Sequence, residues 1–195
     1  VTGVQTCALP ISDCLLQNGA SQVVAVDVGH DQLAQPLRDD PRVVSLEGTD
    51  ARDLTCEQAG GPFAVAVTDV SFISLGKVLP AMAGLLAEGG VALCLIKPQF
   101  EAGPEHVGKR GVVKDPRVHR EVIARVLAQA EGVGLDVRGL DFSPITGPQG
   151  NIEYLLYARK GGEGNAKTPG EPRGATTGVD IDAVVRAAHE ELERR

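Results

Sequence analysis

The chain has no tryptophan, a single methionine and only 3% aromatic residues. Its interior must therefore be built from Val, Leu, Ile and Ala. It also lacks any uncharged run near the ~18 residues that a bilayer-crossing helix needs. The longest candidates, residues 1–12, 58–68 and 142–152, are all too short. Residues 1–12 have no positively charged start, so no secretory leader is expected, and the chain reads as soluble and cytoplasmic. Cysteine is scarce too. Cys7, Cys14, Cys56 and Cys94 include no pair at two-residue spacing, which speaks against a zinc site or a disulfide framework.

Positive charge is the next shortage. The net charge of −7 over 195 residues argues against indiscriminate binding to nucleic acid. The average conceals an asymmetry. Between Lys97 and Arg125 stand seven basic residues and four acidic ones, so this segment is about +3 and the remainder about −10. A basic stripe on an acidic body is either an RNA footprint or a solvated loop and helix face.

What the sequence does have is alternation. Short β-rich runs at 23–26, 43–46, 63–67 and 91–96 are separated by helical stretches. A helix is expected over 31–38 with Asp31 near its cap. Another follows from Leu75, Val78, Leu79, Met82, Leu85 and Leu86 at spacings of three and four, ended by Gly89-Gly90. Asp115-Pro116 opens a helix over 117–131. The last strands are expected at 136–142 and 152–157, around a turn at 143–150. Residues 160–180, rich in Gly, Pro and Thr, read as a linker, and 181–195 as a terminal helix. Alternating strands and helices predict an α/β sheet with helices on both faces.

In an open parallel sheet, ligands collect at the carboxyl ends of the strands. Asp27, Asp69 and Lys97 fall at such ends. Asp27 is suited to a ribose hydroxyl or to capping a helix. Asp50 and Ala51, after the next strand, are placed to read an adenine edge or simply to form a turn. Asp69 ends an apolar strand inside Thr68-Asp69-Val70-Ser71-Phe72-Ile73-Ser74. Lys97, caught between a buried strand and Pro98, is not a typical solvated lysine. Glu153 follows the rigid Gly/Pro turn at 143–150 and is expected on the strand that leaves it.

Five segments carry a resemblance: Asp13-Cys14-Leu15-Leu16-Gln17, the Asp69–Ser74 stretch, Ile96-Lys97-Pro98-Gln99-Phe100-Glu101, Gly108–Pro116, and the stretch from Ser143-Pro144 to Gly150-Asn151-Ile152-Glu153-Tyr154. In this order they resemble the TlyA family of S-adenosylmethionine-dependent rRNA 2′-O-ribose methyltransferases, related to FtsJ, some members of which are called hemolysins. The resemblance implies a Rossmann-like methyltransferase sheet over residues 13–159, S-adenosylmethionine as cofactor, and ribosomal RNA or a ribosomal subunit as partner. It implies a Lys-Asp-Lys-Glu tetrad in which Asp69, Lys97 and Glu153 match the last three members. It assigns the cofactor to Asp27, Asp50, Ala51 and Asp69, and RNA contact to Lys109, Arg110 and Lys114.

The start departs from the family pattern. Residues 1–12 carry no glycine-rich turn, and the tetrad's first lysine has no counterpart ahead of Asp13. The expectation is a partial domain without its native first strand and with impaired transfer. Lys97 then orients the 2′-hydroxyl rather than deprotonating it. The alternatives are a non-catalytic RNA-binding fragment, a dehydrogenase suggested by Asp27 alone, and a membrane-active hemolysin.

Overall fold

The structure is a computed structural model describing residues 2–5, 10–161 and 178–192. In chain order the elements are β1 (Thr2–Gln5), α1 (Pro10–Gln17), β2 (Gln22–Asp27), α2 (Gln35–Arg38), β3 (Val43–Glu47), α3 (Cys56–Ala59) and β4 (Phe63–Thr68). There follow α4 (Leu79–Leu85), β5 (Leu86–Ile96), α5 (Pro98–Glu101), α6 (Pro116–Gly132), β6 (Leu135–Phe142), β7 (Tyr154–Lys160) and α7 (Ile181–Leu192). The strands form one sheet in the order β3-β2-β1-β4-β5-β7-β6. The first five run parallel, and β7 is antiparallel to both of its neighbours.

The place of the first strand, expected to lack its native sequence, is taken by residues 2–5. β1 pairs with β2 on one side and β4 on the other, so neither inner strand is left with an open edge. Helix α1 then starts at Pro10, ahead of the expected boundary at Asp13. Residues 6–9, the stretch between β1 and α1, lie outside the described residues, as does most of the expected 160–180 linker.

Register fixes which residues share a face. Val24 of β2 and Ala66 of β4 both align with β1 at Val4, and Ala66 continues to Ala92 and Ala158. That face is closed by α4, α6 and α7, whose Leu79, Met82, Val122, Ile123, Val126, Val185 and Ala188 join a common core. Helix α7 is thus part of this core. On the opposite face Leu16, Ala20, Leu33 and Leu37 cover Val23 and Ala25 of β2. Further along the same face Leu93, Leu155 and Tyr157 stay 37–45% exposed, so helical cover there is confined to one end of the sheet.

Three local expectations are corrected. The helix expected over 31–38 shrinks to the single turn Gln35–Arg38. Asp31 adopts a left-handed φ of 59° and pairs with Arg38 at 2.8 Å, while Glu47 accepts from the Asp31 and Gln32 amides at 3.0 and 3.2 Å. Side chain-to-backbone bonds of this kind compete with helix and win here. Gly89-Gly90 does not end a helix. The pair lies inside β5, where register jumps from Phe63–Leu86 to Val65–Val91. Gly89 takes φ 74°, the freedom that such a bulge needs. Finally, β7 starts at Tyr154, so Glu153 precedes the strand instead of riding on it.

The start of β7 is anchored from beneath. The buried Tyr154 hydroxyl donates to His119 Nδ1 at 2.7 Å, and His119 Nε2–H donates to the Val113 carbonyl at 2.9 Å. His119 lies on α6, which Asp115 caps by accepting from the Arg117 amide at 2.8 Å. The residue next to Glu153 is therefore tied to the longest helix. Cys94, against Met82 sulfur at 3.6 Å, is a core thiol that burial pushes up to about 12.

Candidate active site

All the strand-end residues gather at one edge of the sheet. β4 ends at Thr68 and hands over to Asp69; β5 ends at Ile96 and hands over to Lys97. The Lys97 ammonium lies 2.5 Å from Asp69 Oδ1, with side chains only 12% and 24% exposed. Lys97 Nζ also donates to Ser71 Oγ at 3.3 Å. Pro98 forces α5 to begin immediately after the lysine, so its backbone cannot drift.

Glu153 reaches the same centre from the far side and is 6% exposed. Its carbonyl accepts from the Ser143 amide at 2.8 Å, and its carboxylate accepts from Gln99 Nε2 at 3.1 Å. A Cβ on Gly147 would run into that carboxylate, so a side chain there would displace it. Burial pushes the Glu153 carboxyl up; the Gln99 hydrogen bond and the Lys97 charge pull it down, and the Asp69 charge adds to the rise. Lys97, Asp69 and Glu153 are thus electrostatic neighbours, brought together from three loops.

Beside this centre lies a cleft of about 410 Å³. Asp27, Asp50, Ala51 and Asp69 all line it, together with Arg52 and Ser71. Asp27 Oδ1 accepts from the Gly29 amide at 2.7 Å, and the Thr49 amide donates to the Asp27 carbonyl at 3.0 Å, which joins the two loops of the wall. Asp50 is less available than its position suggests. The Arg52 guanidinium grips it, and that hydrogen bonding holds its carboxyl down to about 2.

Lys109, Arg110 and Lys114 sit apart from the ion pair on an exposed loop. Asn151, 3% exposed, ties that loop to the turn before Glu153: its amide donates to the Gly111 carbonyl at 2.9 Å and its oxygen accepts from the Val113 amide at 3.3 Å.

Sequence reasoning missed four residues that lay inside the recognised segments. Ser71 and Gln99 hold the ion pair and the carboxylate. Glu101 clamps the Asp69–Ser74 loop by accepting from Ser74 Oγ at 2.9 Å and the Leu75 amide at 2.6 Å. Phe72 is 90% exposed with φ 63°, its ring 4.8 Å from that of Phe100. A proline-fixed helix turn directly after Lys97 was the signal that Gln99 and Glu101 would point in fixed directions.

A sheet of this order, with a cleft and a Lys–Asp–Glu cluster at its carboxyl edge, has the architecture of a Rossmann-like methyltransferase domain. The chain belongs to the FtsJ-like methyltransferase family, whose model matches residues 10–160. It is 47% identical over 148 residues to the 16S/23S rRNA (cytidine-2′-O)-methyltransferase TlyA of Mycobacterium tuberculosis, a match covering 76% of this chain and 55% of that protein. A solved structure from Streptococcus thermophilus, provisionally named a hemolysin, superposes with a TM-score of 0.86 at 40% identity, over 99% of this chain and 68% of that one. At 13% identity, a provisionally named S-adenosylmethionine-dependent methyltransferase from Listeria monocytogenes shares the fold, with a TM-score of 0.59 over 83% of this chain and 91% of that one. The chain spans 55–64% of the length of the named relatives that it matches.

Proposed function

We propose that this chain carries the methyl-transfer centre of an S-adenosylmethionine-dependent enzyme acting on ribose 2′-hydroxyls of ribosomal RNA. The observation that carries the reading is the double position of Asp69. Its carboxylate lines the cleft and also holds the Lys97 ammonium, so the cleft opens directly onto the Lys–Asp–Glu cluster. The residues present fit the nucleoside end of the cofactor, with Asp27 suited to its ribose and the Asp50–Ala51 wall to its adenine. When bound, the cofactor supplies a methyl group on an electrophilic sulfonium.

The chain's own residues supply orientation. Asp69 fixes Lys97, and the ammonium is suited to hold a ribose hydroxyl by one of its three N–H donors. Glu153 adds an acceptor on the opposite side, and its raised carboxyl makes it the group best placed to receive the hydroxyl proton. Lys109, Arg110 and Lys114 are suited to phosphates. The substrate class is supported by the printed name of the Mycobacterium tuberculosis relative, and an rRNA substrate implies work in the cytoplasm.

Transfer of tritium from labelled S-adenosylmethionine to ribose 2′-oxygens of ribosomal subunits tests the reading. We expect a slow rate and cofactor affinity weaker than micromolar by titration calorimetry, because residues 1–12 bring no glycine-rich cradle. Micromolar affinity would overturn that expectation. RNA retention with no transfer would favour the non-catalytic RNA-binding reading. The hemolysin name carried by some relatives finds no support here: among the described residues no helix is long and apolar enough to cross a membrane.

Phe72 offers a separate check. An exposed aromatic ring held in a left-handed conformation that bulky residues avoid is unfavourable unless something uses it. Beside the transfer centre its use is stacking on a base. Phe72→Ala should raise the KM for RNA roughly tenfold, the scale of one base–aromatic stack, and leave the melting temperature and cofactor affinity unchanged. An unaltered KM would remove Phe72 from the RNA surface.

A further inference from the structure

We propose that Gln99 is a positioning residue of the transfer centre, holding the Glu153 carboxylate in its ionised form beside Lys97. The proposal rests on the reading of Lys97, Asp69 and Glu153 as that centre.

The first observation is an imbalance within the Gln99 amide. Its Nε2 donates to Glu153 Oε1 at 3.1 Å, whereas its Oε1 is buried and has no hydrogen-bond partner among the described residues. A glutamine kept for packing would have both ends satisfied or would be replaced by an apolar side chain, since an unsatisfied buried acceptor is costly. The cost is borne where the other end does something stronger, and a hydrogen bond to a carboxylate is of the stronger kind. The orientation follows from the chemistry: an ionised carboxylate only accepts, so the NH2 must face it and the carbonyl must turn away.

The second observation is that everything around this bond is immobilised. Gln99 sits on α5, whose first residue is Pro98 and whose last, Glu101, is bonded to Ser74 and Leu75. Glu153 is pinned through its carbonyl by the Ser143 amide and flanked by Gly147, with no room for a Cβ between them. Two fixed backbones thus meet through one side-chain bond. The charged groups acting on the Glu153 carboxylate are Lys97 from the end of β5 and Asp69 from the end of β4, with opposite effects. Gln99 is the neutral donor that, with Lys97, opposes the rise that burial imposes on this carboxyl.

Carboxyl-carbon NMR titration of Glu153 in the whole chain tests this, the signal being assigned by its loss in Glu153→Gln. Gln99→Met removes the donor at nearly constant volume and should move the Glu153 midpoint up by about one pH unit. Gln99→Glu, equal in shape but bearing a carboxyl, should move it up further. An unchanged midpoint in either folded variant overturns the proposal. The acid limb of the methyl-transfer pH profile should rise with the NMR midpoint while the KM for S-adenosylmethionine stays put; a limb that ignores the NMR shift also overturns it. Failure of the unaltered protein to transfer methyl groups would instead count against the transfer-centre reading, and the NMR result would still decide whether Gln99 holds Glu153.

Discussion

Replacing Lys97 by alanine is expected to abolish methyl transfer, by about 10³-fold or to background, while cofactor affinity changes less than twofold. The separation follows from geometry. Lys97 does not line the cleft; it touches it only through Asp69 and Ser71, which both do. Tritium transfer to ribosomal subunits measures the first quantity and titration calorimetry the second. Surviving turnover would remove Lys97 from the mechanism, and a parallel loss of affinity would show that its main effect is on the shape of the cleft.

The same substitution has a stability consequence that distinguishes an ion pair from a mere neighbour. Asp69 Oδ1 is buried, with the Lys97 ammonium at 2.5 Å and, among the described residues, no hydrogen-bond partner besides. Removing the cation leaves an uncompensated carboxylate in a low-dielectric place, which costs about 1–3 kcal/mol at this partial exposure. Lys97→Met combined with Asp69→Asn removes both charges and should cost less than Lys97→Ala alone. Urea melts of the three proteins check the order, and equal losses would mean that the pair contributes little.

Much of this centre was legible in the sequence because it depends on strand ends. An apolar run that stops at a charged residue announces both a strand and the point where its carboxyl end meets solvent, and Asp27, Asp69 and Lys97 each stood at such a point. The cleft accordingly unites Asp27, Asp50, Ala51 and Asp69. Glu153 was legible as a candidate through the rigid turn before it, but its place just ahead of β7 was not. That boundary is set by pairing of Tyr154 with Ile96 and Phe142, partners distant in sequence. The native first strand was read as missing because residues 1–12 carry no family pattern; residues 2–5 stand in the gap between β2 and β4, where backbone pairing is indifferent to side-chain identity. Gln99 stayed hidden for the opposite reason. A neutral amide has no signature in composition or spacing, and its meaning rests on a contact with a residue 54 positions away. The engagement of Asp50 by Arg52 was equally invisible, since two residues of separation say nothing about side-chain direction until the turn is known.

Glu153→Gln is expected to uncouple activity from stability, lowering transfer by about 10²–10⁴-fold while raising the melting temperature at neutral pH by roughly 2–4 °C. The sign follows from linkage. Burial raises the Glu153 carboxyl in the folded chain above its ordinary value of 4.5, so over that interval the folded state binds more protons than the unfolded one. Stability contributed by this group is present in full below the ordinary value and is lost as pH rises through the folded one. At neutral pH the native protein therefore carries a buried anion that it would be more stable without. Glutamine keeps the shape, still accepts from Gln99 through its carbonyl oxygen, and carries no charge. The two melting curves should converge as pH falls toward 4.5 and separate above it. If Glu153→Gln melts below the native protein at neutral pH, the carboxylate is held by stronger partners than Gln99 and Lys97, and its raised carboxyl no longer qualifies it to take up the hydroxyl proton.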